Sequence, residues 1–224
     1  MALHPDILVL QECENPEKLE KALSIYNPKQ ILWYGDNPHK GIAIINFTSF
    51  KIKVLKKHKP HFRYIWPCRL EMPISLDIYV VWAMPHKENK KSYVGQIWAA
   101  INHYRLRSDV DTMWIGDFNS HTQWDHTRAV GHHSDVVKYL KKKNIISLYH
   151  ELNDLEHGNE KDPTLYMYRH KNKPYHMDYC FLSESMIKKD AQIEIGQAED
   201  WLSYSDHMPL IISGIALAPR QLLH

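Results

Sequence analysis

The chain has 224 residues, 44% of them hydrophobic and 24% charged, with 28 basic against 26 acidic side chains for a net charge of +2. This length suits one large domain with a sizeable core, and the composition excludes disorder, collagen-like repeats and a coiled coil. The near balance of charge excludes a protein that coats nucleic acid by bulk positive charge, while leaving room for a local basic groove.

No apolar run approaches the ~20 residues of a membrane-spanning helix. Met1–Asp6 has no basic region followed by an apolar stretch, so no secretory signal and no membrane partner are expected. Cys13, Cys68 and Cys180 are widely spaced and odd in number, without a Cys-x-x-Cys pair. That argues against a zinc ribbon or a disulfide framework and for a reducing, cytoplasmic setting; each reads as a small core residue. The 16 histidines lie mostly in polar stretches without consistent spacing, as at His132-His133 and His157. They read as solvated surface residues, not ligands.

In chain order, Asp6–Leu10 is a short apolar run, expected as a strand buried on both faces. Asn15-Pro16 offers an N-cap followed by Pro at the first helical position, and Leu19, Ala22, Leu23 and Tyr26 follow at helical spacing. Strands are expected at Ile31–Tyr34, Gly41–Phe47, Phe50–Leu55 and Ile74–Ala83. Ser92–Leu106 carries Val94, Ile97, Trp98, Ile101 and Tyr104, the stripe of a helix packed on a sheet. Thr112–Ile115 is a further buried strand. Ser134 is placed to cap a helix through Val136, Val137 and Leu140, with Lys141–Lys143 in its last turn, where the helix dipole favours cations. Strands follow near Ser147–Tyr149, Leu165–Tyr168, Met177–Leu182, Ala191–Ile195 and Met208–Ser213. Consecutive strands with a few interspersed helices point to an α+β sandwich of two facing mixed sheets with helices outside. No linker divides the chain, so residues 1–224 read as one domain.

Four segments place acidic or amide side chains at the ends of apolar strands: Gln11-Glu12, Gly116-Asp117-Phe118-Asn119, His176-Met177-Asp178-Tyr179 and Ser205-Asp206-His207-Met208-Pro209. A half-buried acid is costly without a partner, so four such places suggest one polar cluster around a cation. Taken singly, each has an ordinary reading as a turn, a cap or a loop carboxylate.

In this order, the four strings resemble the endonuclease/exonuclease/phosphatase superfamily, the DNase I-like proteins, over about Pro5 to Leu210. Gly41–Ile45 resembles that family's strand after the first helix. The resemblance implies a four-layered fold and a phosphoester hydrolase, most simply a nuclease acting on DNA or RNA with Mg²⁺, or Mn²⁺ in its place. It implies that Glu12 is the principal metal ligand, with Asp206 beside the metal. Asp117 would orient and deprotonate the attacking water. Asn119 would donate to phosphate or hold Asp117. His207 would contact the scissile phosphate, and Asp178 would fix its tautomer. His86 and His176 are expected to contact substrate. No protein partner is implied.

The pattern departs from the family in two ways. No strand carrying Asn precedes Pro5, so an N-terminally truncated domain lacking the family's first strand is expected. Ala83 stands where apurinic endonucleases carry Tyr, which disfavours abasic-site repair. Lys51–Lys59, Lys87–Lys91 and Arg105–Arg107 could face a polyanion, or simply be solvated. Trp124, Tyr166 and Tyr168 could stack a base, or serve as core and rim. The alternatives to a nuclease are a phosphomonoesterase or phospholipase of the same fold, and a catalytically inactive binding module.

Overall fold

The structure is a computed structural model that describes residues 3–72, 75–88, 92–107, 109–127 and 130–215. Ile74, Lys90 and Lys91, which the sequence reading assigned to a strand and a basic run, lie outside the described residues.

The first part of the chain builds β1 (Ile7–Cys13), α1 (Pro16–Leu23), β2 (Gln30–Asn37) and β3 (Lys40–Asn46). Asn15 is the N-cap and Pro16 opens α1, as the sequence suggests. The three strands form an antiparallel sheet in the order β1-β3-β2. β1 is half-buried rather than buried on both faces; it stands at the edge of its sheet, where among the described residues it pairs with β3.

The larger sheet comes next. β4 (Lys51–Val54), β5 (Ile65–Glu71), β6 (Leu76–Trp82) and β7 (Asp111–Asp117) are joined later by β8 (Ile145–Ser147) and β11 (Asp178–Ser183), in the order β4-β5-β6-β7-β11-β8. The β6–β7 pair is parallel, bridged by α2 (Val94–Tyr104), and the other pairs are antiparallel. β5 was not among the expected strands; Pro67 lies inside it, and Pro ordinarily argues against a paired strand. The Leu55 N–H donates to the Pro67 carbonyl at 2.9 Å, and Pro67 has no N–H to return the bond. Pairing with β4 therefore stops there, and the proline costs no interior ladder bond.

Alternate residues of the large sheet feed two cores. Ile78, Val80, Cys68, Cys180 and Leu182 face Ile42 and Ile44 of β3 across the gap between the sheets. Tyr79, Val81, Trp114 and Phe181 face Ile97 and Ile101 of α2 together with Val136 and Leu140 of α3 (His133–Lys141). This is the α+β sandwich expected, with every residue of β6 buried because both faces are covered.

α3 begins one residue before Ser134. Asp125 caps it from the preceding turn, taking the His133 N–H at 2.9 Å and the Ser134 N–H at 3.3 Å. The strand expected at Ser147–Tyr149 is instead the end of β8 followed by a short helix, α4 (Leu148–Asn153). β9 (Leu165–Tyr166) and β10 (Pro174–Tyr175) form a small hairpin. β12 (Ile187–Ile195) and β13 (Leu210–Ile215), separated by α5 (Ala198–Trp201), pair antiparallel, and their isoleucines close the inter-sheet core. Among the described residues, no helix is long and apolar enough to cross a membrane.

Candidate active site

The site is built where β1, β7 and β11 end together. Asp117 and Asp178 are directly paired residues of adjacent strands, so their side chains leave the same face. Gly116 makes this end of β7 approachable. Its φ is +132°, and a Cβ there would lie 2.1 Å from the Val81 carbonyl and 2.8 Å from the Gln11 amide nitrogen. Only glycine lets β1 come this close to β7. At the same level the β1–β3 register slips between Leu10 and Cys13, and Glu12 takes a φ of +53°. A bulge of this kind re-aims a side chain, and it turns Glu12 toward the ends of the central strands.

Asp117 is buried and held twice by Asn119. The Asn119 N–H donates to Oδ1 at 2.8 Å, and its Nδ2 donates to Oδ2 at 2.6 Å. The second Nδ2 hydrogen goes to the Ala83 carbonyl at 3.0 Å. Both amide hydrogens are thus engaged, so of the two roles considered for Asn119 the geometry favours orienting Asp117. Asn119 adopts φ +45° to do so, a region that Asn tolerates. Burial first, then the charge of Asp178, pushes the Asp117 carboxyl well above its ordinary range, against the opposing pull of His207 and the Asn119 N–H.

His207 Nδ1 lies 2.8 Å from Asp178 Oδ2. Burial alone would lower the imidazole pKa. Asp178, through its charge and its hydrogen bond, outweighs this with help from Asp117 and Asp206, lifting it to about 10. The imidazolium is therefore the neutral-pH form, with Nδ1–H donated to Asp178 and Nε2–H left as a donor. Asp117, Asp178 and His207 each offer a ligand-type atom within 4.8 Å of the others.

The segment carrying Asp206 and His207 is stitched to the hairpin before β11. The Tyr166 N–H donates to the Asp206 carbonyl at 2.8 Å, and the Met208 N–H to the Thr164 carbonyl at 2.7 Å. The Thr164 hydroxyl in turn accepts the N–H groups of Met177 and Asp178 at 2.8 and 2.9 Å. Thr164 is thus a positioning residue that sequence reasoning missed; a buried Thr before a strand carries no distinctive signal.

Glu12 faces Lys40 of β3, with Nζ 2.5 Å from Oε2. The Glu12 charge also reaches Asp117. The Lys40 pKa is raised by Glu12, first by hydrogen bond and then by charge, with a smaller contribution from Asp206. Lys40 was not singled out from sequence, although Lys directly before Gly41 is visible there. Its ammonium marks the place where the carboxylates of Glu12 and Asp206 attract a cation.

Six expected residues therefore converge: Glu12, Asp117, Asn119, Asp178, Asp206 and His207. His176 does not join them. Its ring is buried, donates from Nδ1 to the Asp162 carbonyl at 2.8 Å and packs on Tyr149, so substrate cannot reach it. His86 is half-buried in the loop after β6, where its Nδ1 accepts the Glu88 N–H at 3.0 Å. Of the candidate stacking residues, Tyr168 is exposed, whereas Trp124 packs on Tyr175. Lys57 of the basic run is spent on Asp77 and the Tyr79 hydroxyl. The thiols of Cys68 and Cys180 are pushed up to about 12 by burial, consistent with inert core residues.

No family model and no curated protein matches the sequence. Solved structures do. An AP endonuclease from Archaeoglobus fulgidus superimposes with a TM-score of 0.63 at 18% identity, covering 93% of this chain and 88% of that one. The 3′ phosphatase NExo from Neisseria, bound to a product DNA hairpin, gives 0.65 at 15% identity, over 95% and 89%. An endonuclease/exonuclease/phosphatase from Beutenbergia cavernae gives 0.61 at 12% identity; 93% of this chain spans 62% of that one. The fold is DNase I-like. In this DNase I-like sandwich the six convergent residues stand at one rim, at the ends of the central strands and beside the hairpin that carries Thr164.

Proposed function

We propose that the chain is a divalent-metal-dependent hydrolase of phosphodiester bonds, acting on nucleic acid. The observation that carries this reading is the Asp178–His207 pair, 2.8 Å apart, set beside the doubly held carboxyl of Asp117. A charged imidazole held by Asp178, beside a carboxyl raised by burial and by the Asp178 charge, suits a donor to phosphate next to a proton acceptor for water.

Glu12 and Asp206 supply hard carboxylate oxygens suited to Mg²⁺ or Mn²⁺, and the Lys40 ammonium on Glu12 supports a cation at that place. When bound, the ion would neutralise charge on the phosphate and its leaving oxygen. The protein's own groups do the rest. His207 donates from Nε2 to a non-bridging phosphate oxygen, a bond that strengthens as negative charge builds. Asp178 keeps that imidazole charged and oriented. Asp117 accepts a proton from the attacking water, and Asn119 holds Asp117 in position. Exposed Tyr168, beside Lys173 at 5.5 Å from its ring, offers a stacking surface at the rim.

The test is Mg²⁺-dependent cleavage of single- and double-stranded DNA and of RNA, with a 3′-phosphorylated DNA end as the phosphomonoester arm. Chelation with EDTA should abolish activity. His207→Ala should cost on the order of 10²–10³ in kcat, the usual loss for one preorganised donor. Activity unchanged in both His207→Ala and Asp117→Ala would overturn the proposal. Turnover confined to the 3′-phosphate arm would reassign the substrate to phosphomonoesters.

A further inference from the structure

Behind β11, away from the catalytic rim, the large sheet carries a second concentration of chemistry. The histidines read from sequence as solvated are buried there. His133 is 1% exposed and His150 6%, and the carboxylate among them, Glu160, has a side chain only 3% exposed. Four elements deliver these groups: the turn after β7, the start of α3, α4, and the polar loop of residues 154–163.

Glu160 is the hub. Its Oε1 lies 2.9 Å from His150 Nε2, and its Oε2 lies 2.9 Å from His121 Nε2 and accepts the Gly158 N–H at 3.0 Å. Burial would raise this carboxyl, but the donors from His121 and His150 hold it far below the ordinary range. His157 stacks on His150 with ring centres 3.6 Å apart, and its Nδ1 lies 3.1 Å from His133 Nε2. Donor atoms of His150, His157 and Glu160 all lie within 4.8 Å of one another.

We propose that His133 Nε2, His150 Nε2, His157 Nδ1 and Glu160 Oε1 form a structural Zn²⁺ site, separate from the catalytic rim. Three imidazoles and one carboxylate are a donor set for a borderline metal, not for Mg²⁺. Neighbouring donors in a zinc tetrahedron lie about 3.3 Å apart, given Zn–N bonds of ~2.0–2.1 Å. The His150–Glu160 and His133–His157 separations, 2.9 and 3.1 Å, approach such edges; His133 stands outside the group of three donors, and the His150 and His157 rings, stacked 16° from parallel, must turn for both nitrogens to reach one ion.

Outer hydrogen bonds are in place for His150 and His133. A ligating imidazole needs a partner for its other nitrogen. His150 has the Ser147 hydroxyl at 2.7 Å from Nδ1, and His133 has the Ser120 hydroxyl at 2.9 Å from Nδ1. His121 is excluded, because its Nδ1 accepts the Gln123 N–H at 3.1 Å. Its proton therefore sits on Nε2 and is donated to Glu160, where it orients the carboxylate. Burial pushes the pKa of His133 down to about 3 and, together with neighbouring imidazoles, that of His157 to about 2. Both rings are thus neutral, as ligands must be. Zinc enters by a tautomer exchange: the protons of His133 and His150 move from Nε2 to Nδ1 and are donated to Ser120 and Ser147. No proton is released. The ion would staple the 154–163 loop and the start of α3 against Tyr179, one residue beyond Asp178.

The test uses the full chain, stripped of metal and then held in excess Mg²⁺ so that the catalytic carboxylates are occupied. Zn²⁺ alone is titrated in competition with a chromophoric chelator, and Co²⁺ is substituted to read coordination number from its visible spectrum. The expected result is one tightly bound Zn²⁺ per chain and the intense Co²⁺ bands of a four-coordinate site. Ser147→Ala should weaken binding about 10–100-fold, the usual effect of losing an orienting partner. His157→Gln should weaken it further, and Glu12→Gln should leave it unchanged. Should His157→Gln fail to fold, the wild-type Co²⁺ spectrum and Ser147→Ala still decide. The proposal is overturned if folded wild type binds no zinc below micromolar concentration, if the Co²⁺ spectrum is six-coordinate, if Ser147→Ala binds as tightly as wild type, or if binding is lost with Glu12→Gln.

Discussion

Replacing Asp178 with Asn keeps the shape of the side chain and removes the charge that holds His207. The imidazole pKa is lifted from an ordinary 6.5 to about 10 although burial opposes it. At ~1.4 kcal/mol per pH unit, that bias toward the charged form has a ceiling of about 5 kcal/mol. The His207 side chain is 31% exposed, and solvent screening reduces the realised coupling to about 2–3 kcal/mol. The expected midpoint for His207 in Asp178→Asn therefore falls by roughly 2 pH units, as read by NMR titration of its ring proton in metal-free protein. A raised folded-state pKa stabilises the native state fully below the unfolded value of 6.5, and that stability is lost as pH rises through 10. The variant should thus be about 2 kcal/mol less stable than wild type at pH 7, with the gap narrowing by pH 10.5. In turnover, kcat should fall on the order of 10²–10³ with KM little changed. A His207 midpoint that does not move, or a stability gap constant between pH 7 and pH 10.5, would refute the assignment of the pair.

Three further outcomes follow from other parts of the molecule. Gly116→Ala forces a Cβ to 2.1 Å from the Val81 carbonyl at φ +132°, so the urea midpoint should fall by the equivalent of at least 2–3 kcal/mol, about the cost of a strained backbone position plus a steric clash. Lys40→Gln removes the ammonium that competes for Glu12; an exposed pair of this kind contributes up to ~1 kcal/mol, so Mg²⁺ measured by calorimetry should bind up to about fivefold more tightly. With a chelator present, the depressed pKa values of His133 and His157 predict stability that is fully present above pH 6.5 and lost as pH falls, at about 1.4 kcal/mol per pH unit for each ring. Denaturation midpoints that are flat between pH 7 and pH 5 would contradict the burial of these histidines.

Much of the architecture could be read locally. Alternation and unbroken apolar runs betray β6 and β7 because both of their faces are buried. Asn15-Pro16 betrays the start of α1 because a cap is a property of neighbouring residues. The acids at the strand ends, taken in order, also pointed to one polar cluster, since burial of an unpaired carboxylate is costly wherever it occurs. β5 escaped notice because the harm done by Pro67 depends on where β4 stops, which is a fact about another strand.

The linear order of residues thus determined the DNase I-like layering and the chemical identity of the six convergent groups. Only folding decided their states. Asp117 is lifted because folding buries it and because β7 and β11 set Asp178 opposite it, His207 is charged because the Thr164 hairpin brings it to Asp178, and Asn119 has no free hydrogen because Ala83 takes one. The histidines show the same division. Their number was plain from the sequence, yet a histidine in a polar stretch is solvated or buried according to what packs over it. Here α3, α4 and the 154–163 loop close over four of them, and burial in that low-dielectric space keeps His133 and His157 neutral.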